Sequence, residues 1–405
     1  MILAGRLLLP GDGDGVELVA GSVELDGNTI AAVNVGDTTT QANAGGPNTL
    51  ICPAFTDTHL HLPQFDQVGA HVTPLLRWLD EVTFPNERRW EDPAFARGMA
   101  ERVVRQLLSV GTTGVAAYAT VHAEGTRAAL EVFTRRGLRG VIGQTLIDRE
   151  APDFLCRPAD QLLDETAGLL DAFPPGQRMS AAVTPRFAIT CTRPLLEGAG
   201  RLAAERHAVV QSHLAETVTE CDFVGELFDG KRYVDVYRDA GLLRPGSLWG
   251  HGIYLDNADR ATLRGHDAVV AHCPTANSFL RSGAMPWREH HAADVRLSLG
   301  SDIGGGYERS MVRVARAMIE TAAARGDAYP TAAQAWRQIT AGNAELLPGS
   351  NGGALLPGAT ADVLVIEPDV PWLDHPDPLA MLLWAWDDRW LKRTVVRGEV
   401  GYAAD

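Results

Sequence analysis

The residues of this chain able to do chemistry are a histidine pair, His59 and His61, with the separate His213, Glu216, His251 and Asp302. In a strand, side chains two apart point to the same side, so both imidazoles of the pair can face one metal ion. The pair closes the apolar run of residues 49–55. His213, His251 and Asp302 each end an apolar, strand-like run of their own. Histidine and carboxylate ligands converging from different strand ends are what a catalytic zinc site needs.

Each of these residues also has a plainer reading. Two histidines at this spacing arise by chance, and their weight comes from following a buried strand. A lone histidine such as His213 after an apolar strand is ordinarily a hydrogen-bonded core residue. Glu216 is a helix N-terminal acid or a proton shuttle beside a metal-bound water. His251, between Gly250 and Gly252, is a loop residue, a ligand, or a hydrogen-bond partner of that water. Asp302, before Gly304-Gly305-Gly306, is a helix N-cap or a ligand and general base. Their joint placement favours the chemical reading each time. His272 could line the same pocket, and His290-His291 reads as a solvated helix pair. His122-Ala123-Glu124 mimics half of a cytidine-deaminase zinc signature, but no Pro-Cys-x-x-Cys follows.

The elements that must position these residues alternate. Strand-like runs fall near residues 49–62, 111–122, 139–148, 180–191, 207–216, 247–255, 267–277 and 295–304, with helical patterns between most of them. Eight strands alternating with helices over roughly 250 residues predict a TIM (β/α)8 barrel, whose active sites sit at the C-terminal strand ends. The candidates fall on the first, fifth, sixth and eighth strands. Residues 1–48 and 351–405 carry short β-like runs with Gly and Asp turns, which predicts a small β-sandwich built from both termini around a catalytic domain of residues 49–350. The long loops 62–92 and 274–290 would build the pocket.

Metal number can be argued from lysine. Two-metal barrels of this type often bridge their ions with a modified lysine on the fourth strand. The chain has only Lys231 and Lys392, neither of them there, which favours one metal.

Composition bounds the rest. The 405 residues are 45% hydrophobic and 21% charged, ordinary for a globular protein. A net charge of −15 disfavours nucleic acid and anionic membranes as partners. Five scattered cysteines without a CxxC read as reduced thiols, and no segment has the layout of a signal peptide or bilayer span, so a cytoplasmic setting is expected.

The motif Asp57-Thr58-His59-Leu60-His61-Leu62-Pro63-Gln64, with Asp302 on the eighth strand, resembles the amidohydrolase superfamily. Further motifs look like the guanine deaminases within it: Trp78-Leu79 with Thr83-Phe84-Pro85, Thr184-Pro185-Arg186-Phe187, Gln211 to Glu216, His272-Cys273-Pro274-Thr275 through Ser282-Gly283, and Gly300 to Gly306. The resemblance implies one Zn2+ per subunit held by His59, His61, His213 and Asp302, with His251 beside it. It implies that Gln64 and Arg186 hydrogen-bond a guanine edge and that Phe187, with Trp78 and Leu79, packs on the ring. Glu216, Asp302 and His251 would be catalytic, xanthine and ammonia the products, and the protein a homodimer. Leu62, Phe65-Asp66, Ser278, Arg281 and Glu308-Arg309 depart from the family pattern, and Arg281 could reach the pocket or point to solvent. Sister reactions on 8-oxoguanine, isoxanthopterin or another pterin therefore stay open. A non-catalytic barrel is the remote alternative, since such members typically lose ligands and here every ligand position is filled.

Overall fold

Fully buried parallel strands form the centre of the molecule. The computed structural model describes residues 1–13, 15–36, 42–70, 75–326, 328–349 and 351–404. Residues 71–74 of the first long loop lie outside the described residues. Four strands, β5 (Phe55–His61), β6 (Thr112–Tyr118), β7 (Arg139–Leu146) and β8 (Met179–Pro185), pair in parallel in chain order. Four more, β9 (Gln211–Leu214), β10 (Leu248–His251), β11 (Val269–His272) and β12 (Arg296–Leu299), form a second parallel sheet, again in chain order. Every residue of β5 to β8 is buried. Burial on both faces is why these runs show no strict alternation of apolar and polar residues.

The two parallel sheets meet at both edges. A parallel bridge joins Val183 on β8 to Val210 just before β9. At the other edge the Thr58 hydroxyl donates to the Leu299 carbonyl at 3.1 Å, and the Asp302 N–H donates to the His59 carbonyl at 2.8 Å. Helices start where capping residues allow. Asp92 accepts from the Ala94 N–H at the head of Pro93–Leu108, and Thr192 caps Arg193–Arg206.

Both chain ends join one sheet of seven strands. They are β1 (Ile2–Pro10), β2 (Val16–Asp26), β3 (Thr29–Val35), β4 (Ala44–Pro53), β13 (Val363–Ile366), β14 (Leu391–Val396) and β15 (Glu399–Ala403). The spatial order is β15-β14-β13-β4-β1-β2-β3. A second sheet packed on this one, as a sandwich needs, is not seen among the described residues. Alternate residues of β4 and β13 enter different cores. Leu50, Cys52, Leu364 and Ile366 pack with Phe55 and Trp336, whereas Ile51, Val363 and Val365 pack with Leu3, Leu7 and Val23. The apolar run expected as one strand over residues 49–62 is therefore two strands, with Ala54 between β4 and β5.

Candidate active site

The candidates converge because their strands are parallel neighbours. His59 and His61 project from the end of β5, with ring centroids 5.4 Å apart. His213 is on β9, His251 ends β10, and Asp302 lies three residues past β12. His61 Nε2 is 3.0 Å from His213 Nε2. Asp302 Oδ1 lies 3.6 Å from the Nε2 atoms of both His59 and His61. All are buried apart from His213, which is partly so. Two neighbouring residues must be glycine for His59 to fit. A Cβ at Gly250 would come within 2.5 Å of the His59 ring, and one at Gly300 within 2.5 Å of its Cβ.

Hydrogen bonds set the tautomers. His213 Nδ1 donates to the Arg186 carbonyl at 2.6 Å, so a neutral ring leaves Nε2 as an acceptor. His251 Nδ1 donates to Asn277 Oδ1 at 2.8 Å, turning its Nε2 to Glu216 Oε2 at 3.4 Å. Burial, then the neighbouring imidazoles and Arg186, holds His59, His61 and His213 well below the ordinary histidine range. His251 goes the other way. Burial lowers it, but Glu216 and Asp302 together raise it above its ordinary value. Burial pushes Asp302 up to about 7; His251 pulls it down while Glu216 and Asp57 add to the rise. Three residues near the site, Ala215, His251 and Asp302, have φ of +49°, +71° and +47°, a strained conformation that clusters at functional sites.

Glu216 follows β9, and helix capping is not its task. The next helix, Val218–Leu227, is capped by Thr217 in a capping box with Glu220. Glu216 is buried, and Ser282 donates to its Oε1 at 2.6 Å. Nor does Asp302 cap a helix; Ser310 precedes the next one, Met311–Ala324.

A cavity opens above these groups, lined by His61, His213, Glu216, His251 and Asp302. Gln64, Trp78, Leu79, Arg186 and Phe187 line it too. Gln64 ends a short 3-10 turn after β5, and its buried Oε1 has no protein partner. Arg186 and Phe187 follow β8 directly. Apolar walls with a few convergent polar groups suit a small flat ring.

Other expectations change. His272 is buried on β11 and does not line this cavity. His290 is not solvated: it is buried, with both ring nitrogens 2.9 Å from the carbonyls of Pro286 and Gly252, while His291 beside it is exposed. The helix Trp287–Ala292 turns one of the two inward. Arg281 is exposed and does not line the cavity. Phe65 packs into the core and Asp66 pairs with Arg102. All five cysteines are free.

Supporting residues escaped the sequence reading. Glu87, buried, accepts from Arg186 Nη1 at 2.6 Å. Asp57 accepts from the Ser301 hydroxyl at 2.5 Å and the Ser301 N–H at 3.0 Å. Tyr118 stacks on His61 with centroids 4.6 Å apart. Glu87 and Tyr118 have no spacing or run that marks them, and Asp57 stood in the motif with the histidine pair without a role of its own.

Comparison with known proteins agrees with this geometry. The model of the amidohydrolase family matches residues 50–401. Guanine deaminase of Escherichia coli K12 is 33% identical over 368 residues, 87% of this chain and 83% of that one. Guanine deaminase of Dictyostelium discoideum is 35% identical over 277 residues, 67% of this chain but only 62% of its own length. The crystal structure of guanine deaminase from C. acetobutylicum with guanine bound in its active site superposes with a TM-score of 0.90, at 26% identity, covering 98% of this chain and 99% of that one.

Proposed function

The chain belongs to the amidohydrolase family, and from that premise we propose that it hydrolyses guanine to xanthine and ammonia. The observation that carries this reading is the single cavity in which Gln64, Arg186 and Phe187 face Glu216, His251 and Asp302. The two curated relatives above, and the guanine-bound structure, act on or hold the same ring. In this reading the eight parallel strands close into a TIM barrel within residues 49–350, flanked by the sheet of both termini.

The donor set fits one zinc ion. His59 Nε2 is buried and has no protein hydrogen-bond partner. The Nε2 atoms of His61 and His213 lie 3.0 Å apart on two neutral rings, so both can turn a lone pair to one cation. His61 and His213 lie 3.0 Å apart at Nε2, and Asp302 Oδ1 lies 3.6 Å from the Nε2 atoms of His59 and His61, so three of the six pairs in this set are close enough to share one ion. His59, His61, His213 and Asp302 would hold it. When bound, zinc supplies a hydrolytic water acidified to near neutrality.

The remaining steps fall to the chain. Gln64 and Arg186 hold the guanine edge, Arg186 donating to the ring carbonyl from a fixed set of N–H groups. Phe187, Trp78 and Leu79 confine the ring plane. The water oxygen bonds to C2 as Asp302 takes its proton. Glu216 delivers its proton to the adjacent ring nitrogen, takes up the proton of the hydroxyl now on C2 and passes it to the exocyclic amine, and the proton on Asp302 returns to Glu216. The C2–N bond breaks, and ammonia leaves. His251, held by Asn277, steadies Glu216 and the attacking oxygen.

The test is ammonia release by the zinc-loaded protein from guanine, 8-oxoguanine, isoxanthopterin and pterin side by side. Guanine preferred about tenfold or more in kcat/KM, about 1.4 kcal/mol, supports the reading. Preference for another ring would keep the chemistry and move the substrate. Free cysteines suit a reducing cytoplasm, and no helix among the described residues is long and apolar enough to cross a membrane. The reading also has the protein as a homodimer, which light scattering tests.

A further inference from the structure

We propose that Glu87 is a positioning residue for substrate recognition: it clamps the Arg186 guanidinium and cancels its charge, so that the cavity offers a fixed, charge-compensated donor to a neutral ring carbonyl. This rests on the reading of the cavity as a guanine site.

The geometry is a two-sided clamp. Glu87 is 0% exposed, and its Oε1 takes the Arg186 Nη1 hydrogen bond at 2.6 Å. The guanidinium carbon lies 5.3 Å from the centroid of the Phe84 ring. Arg186 itself is 2% exposed and lines the cavity. No other side-chain acceptor among the described residues takes a hydrogen bond from this guanidinium. Glu87 and Phe84 sit on the short helix Phe84–Glu87, which continues directly from the turn Leu79–Thr83. The segment that brings Trp78 and Leu79 to the cavity thus also carries the clamp.

A buried ion pair is a poor source of stability compared with apolar residues of the same volume, because both ions lose their water. What it supplies is orientation. Arginine's planar fork, once one edge is held by a carboxylate, presents its remaining donors in a single plane. Without Glu87 the guanidinium would have to be ordered at each binding event, and its unbalanced charge would attract anionic rings over a neutral lactam.

The experiment uses zinc-loaded wild-type protein, E87Q, R186M and the double variant E87Q/R186M. E87Q is expected to raise KM for guanine on the order of 10-fold with kcat and zinc content little changed. The double variant is expected to be no worse than R186M alone, because Glu87 acts through Arg186. Purine-6-carboxylate is expected to inhibit E87Q more tightly than wild type. Nitrogen NMR of the arginine side chains gives a readout independent of turnover, with slowly rotating Arg186 Nη groups in wild type that are lost in E87Q. Where E87Q fails to fold, E87D serves, with an intermediate KM expected. Unchanged KM, additive losses in the double variant, unchanged carboxylate inhibition or unchanged Nη signals would overturn the proposal. A wild-type protein inactive on guanine would instead overturn the functional reading, while the NMR comparison still decides the clamp.

Discussion

The backbone N–H of Asp302 donates to the carbonyl of His59 at 2.8 Å, so the end of the last parallel run is tied to the first before any side chain is considered. The Asp302 carboxylate then lies 3.6 Å from both histidines of the pair. Asp302→Ala should abolish ammonia release and lower stoichiometric zinc. Near-normal turnover, with metal retained, would remove Asp302 from the site.

Glu216 stands between Ser282 and His251 without holding a helix end. Glu216→Gln should keep zinc and lose kcat on the order of 10²–10⁴-fold, as for loss of a general acid–base. Ser282→Ala removes a hydrogen bond to the carboxylate, about 1.5–3 kcal/mol, and should lower kcat at least roughly 10-fold. Steady-state rates of both variants and of their combination check this. An unchanged rate in Glu216→Gln would return the residue to structure.

His272 is buried with neither ring nitrogen hydrogen-bonded. Burial, then the charges of His290 and His251, lowers its pKa to about 3. An unfolded histidine titrates near ~6.5. Between those values the unfolded chain binds the extra proton, so this stability is full above the higher value and falls as pH drops toward the lower. The loss from pH 7 to 5 is about 2 kcal/mol for this residue. Urea unfolding of His272→Leu should show a pH 7-to-5 decline smaller than wild type by about that amount. Parallel declines would mean that His272 carries its proton in the fold.

Asp362 binds two arginines at the foot of the parallel strands. Arg178 donates to both its oxygens, at 2.8 and 2.7 Å, and the Arg139 Nε lies 3.7 Å away. Burial lowers the Arg139 pKa to about 10, with Asp362 opposing the fall. Asp362→Ala leaves the buried Arg139 and the half-buried Arg178 without this carboxylate and should cost about 3–5 kcal/mol. Denaturant titration measures this, and activity per folded molecule should stay near wild type. A cost below about 1 kcal/mol would mean that the two arginines find other partners or water.

The positions of His59, His61, His213, His251 and Asp302 were legible because each ends an apolar run, and parallel strands put such ends on one side. The helix–strand alternation was legible for the same reason. The break at Ala54 was not, since the second half of β4, Thr49 to Pro53, is buried on both faces and runs into β5 without a polar residue to mark the change of sheet. Sheet order among the termini depends on pairing between segments some 300 residues apart, which local pattern does not encode. Glu87, Ser282 and Asn277 were invisible as supports because a lone polar residue in a loop or short helix shows its partner only in three dimensions. His290 was misjudged from its neighbour, as one face of a short helix turns inward and the next outward.

The single residue Ala54 joins β4, a strand held between β1 and β13, to β5, which carries the histidine pair. The seven-stranded sheet is therefore an anchor for the site. A fragment cut to begin at Thr49 would keep half of β4 and lose β1, leaving an unpaired strand edge that ends six residues before His59, prone to pair with other chains. Shortening this protein to its central strands would loosen the very residues the shortening was meant to isolate, and either terminus becomes a handle through which the spacing of the pair can be disturbed from a distance.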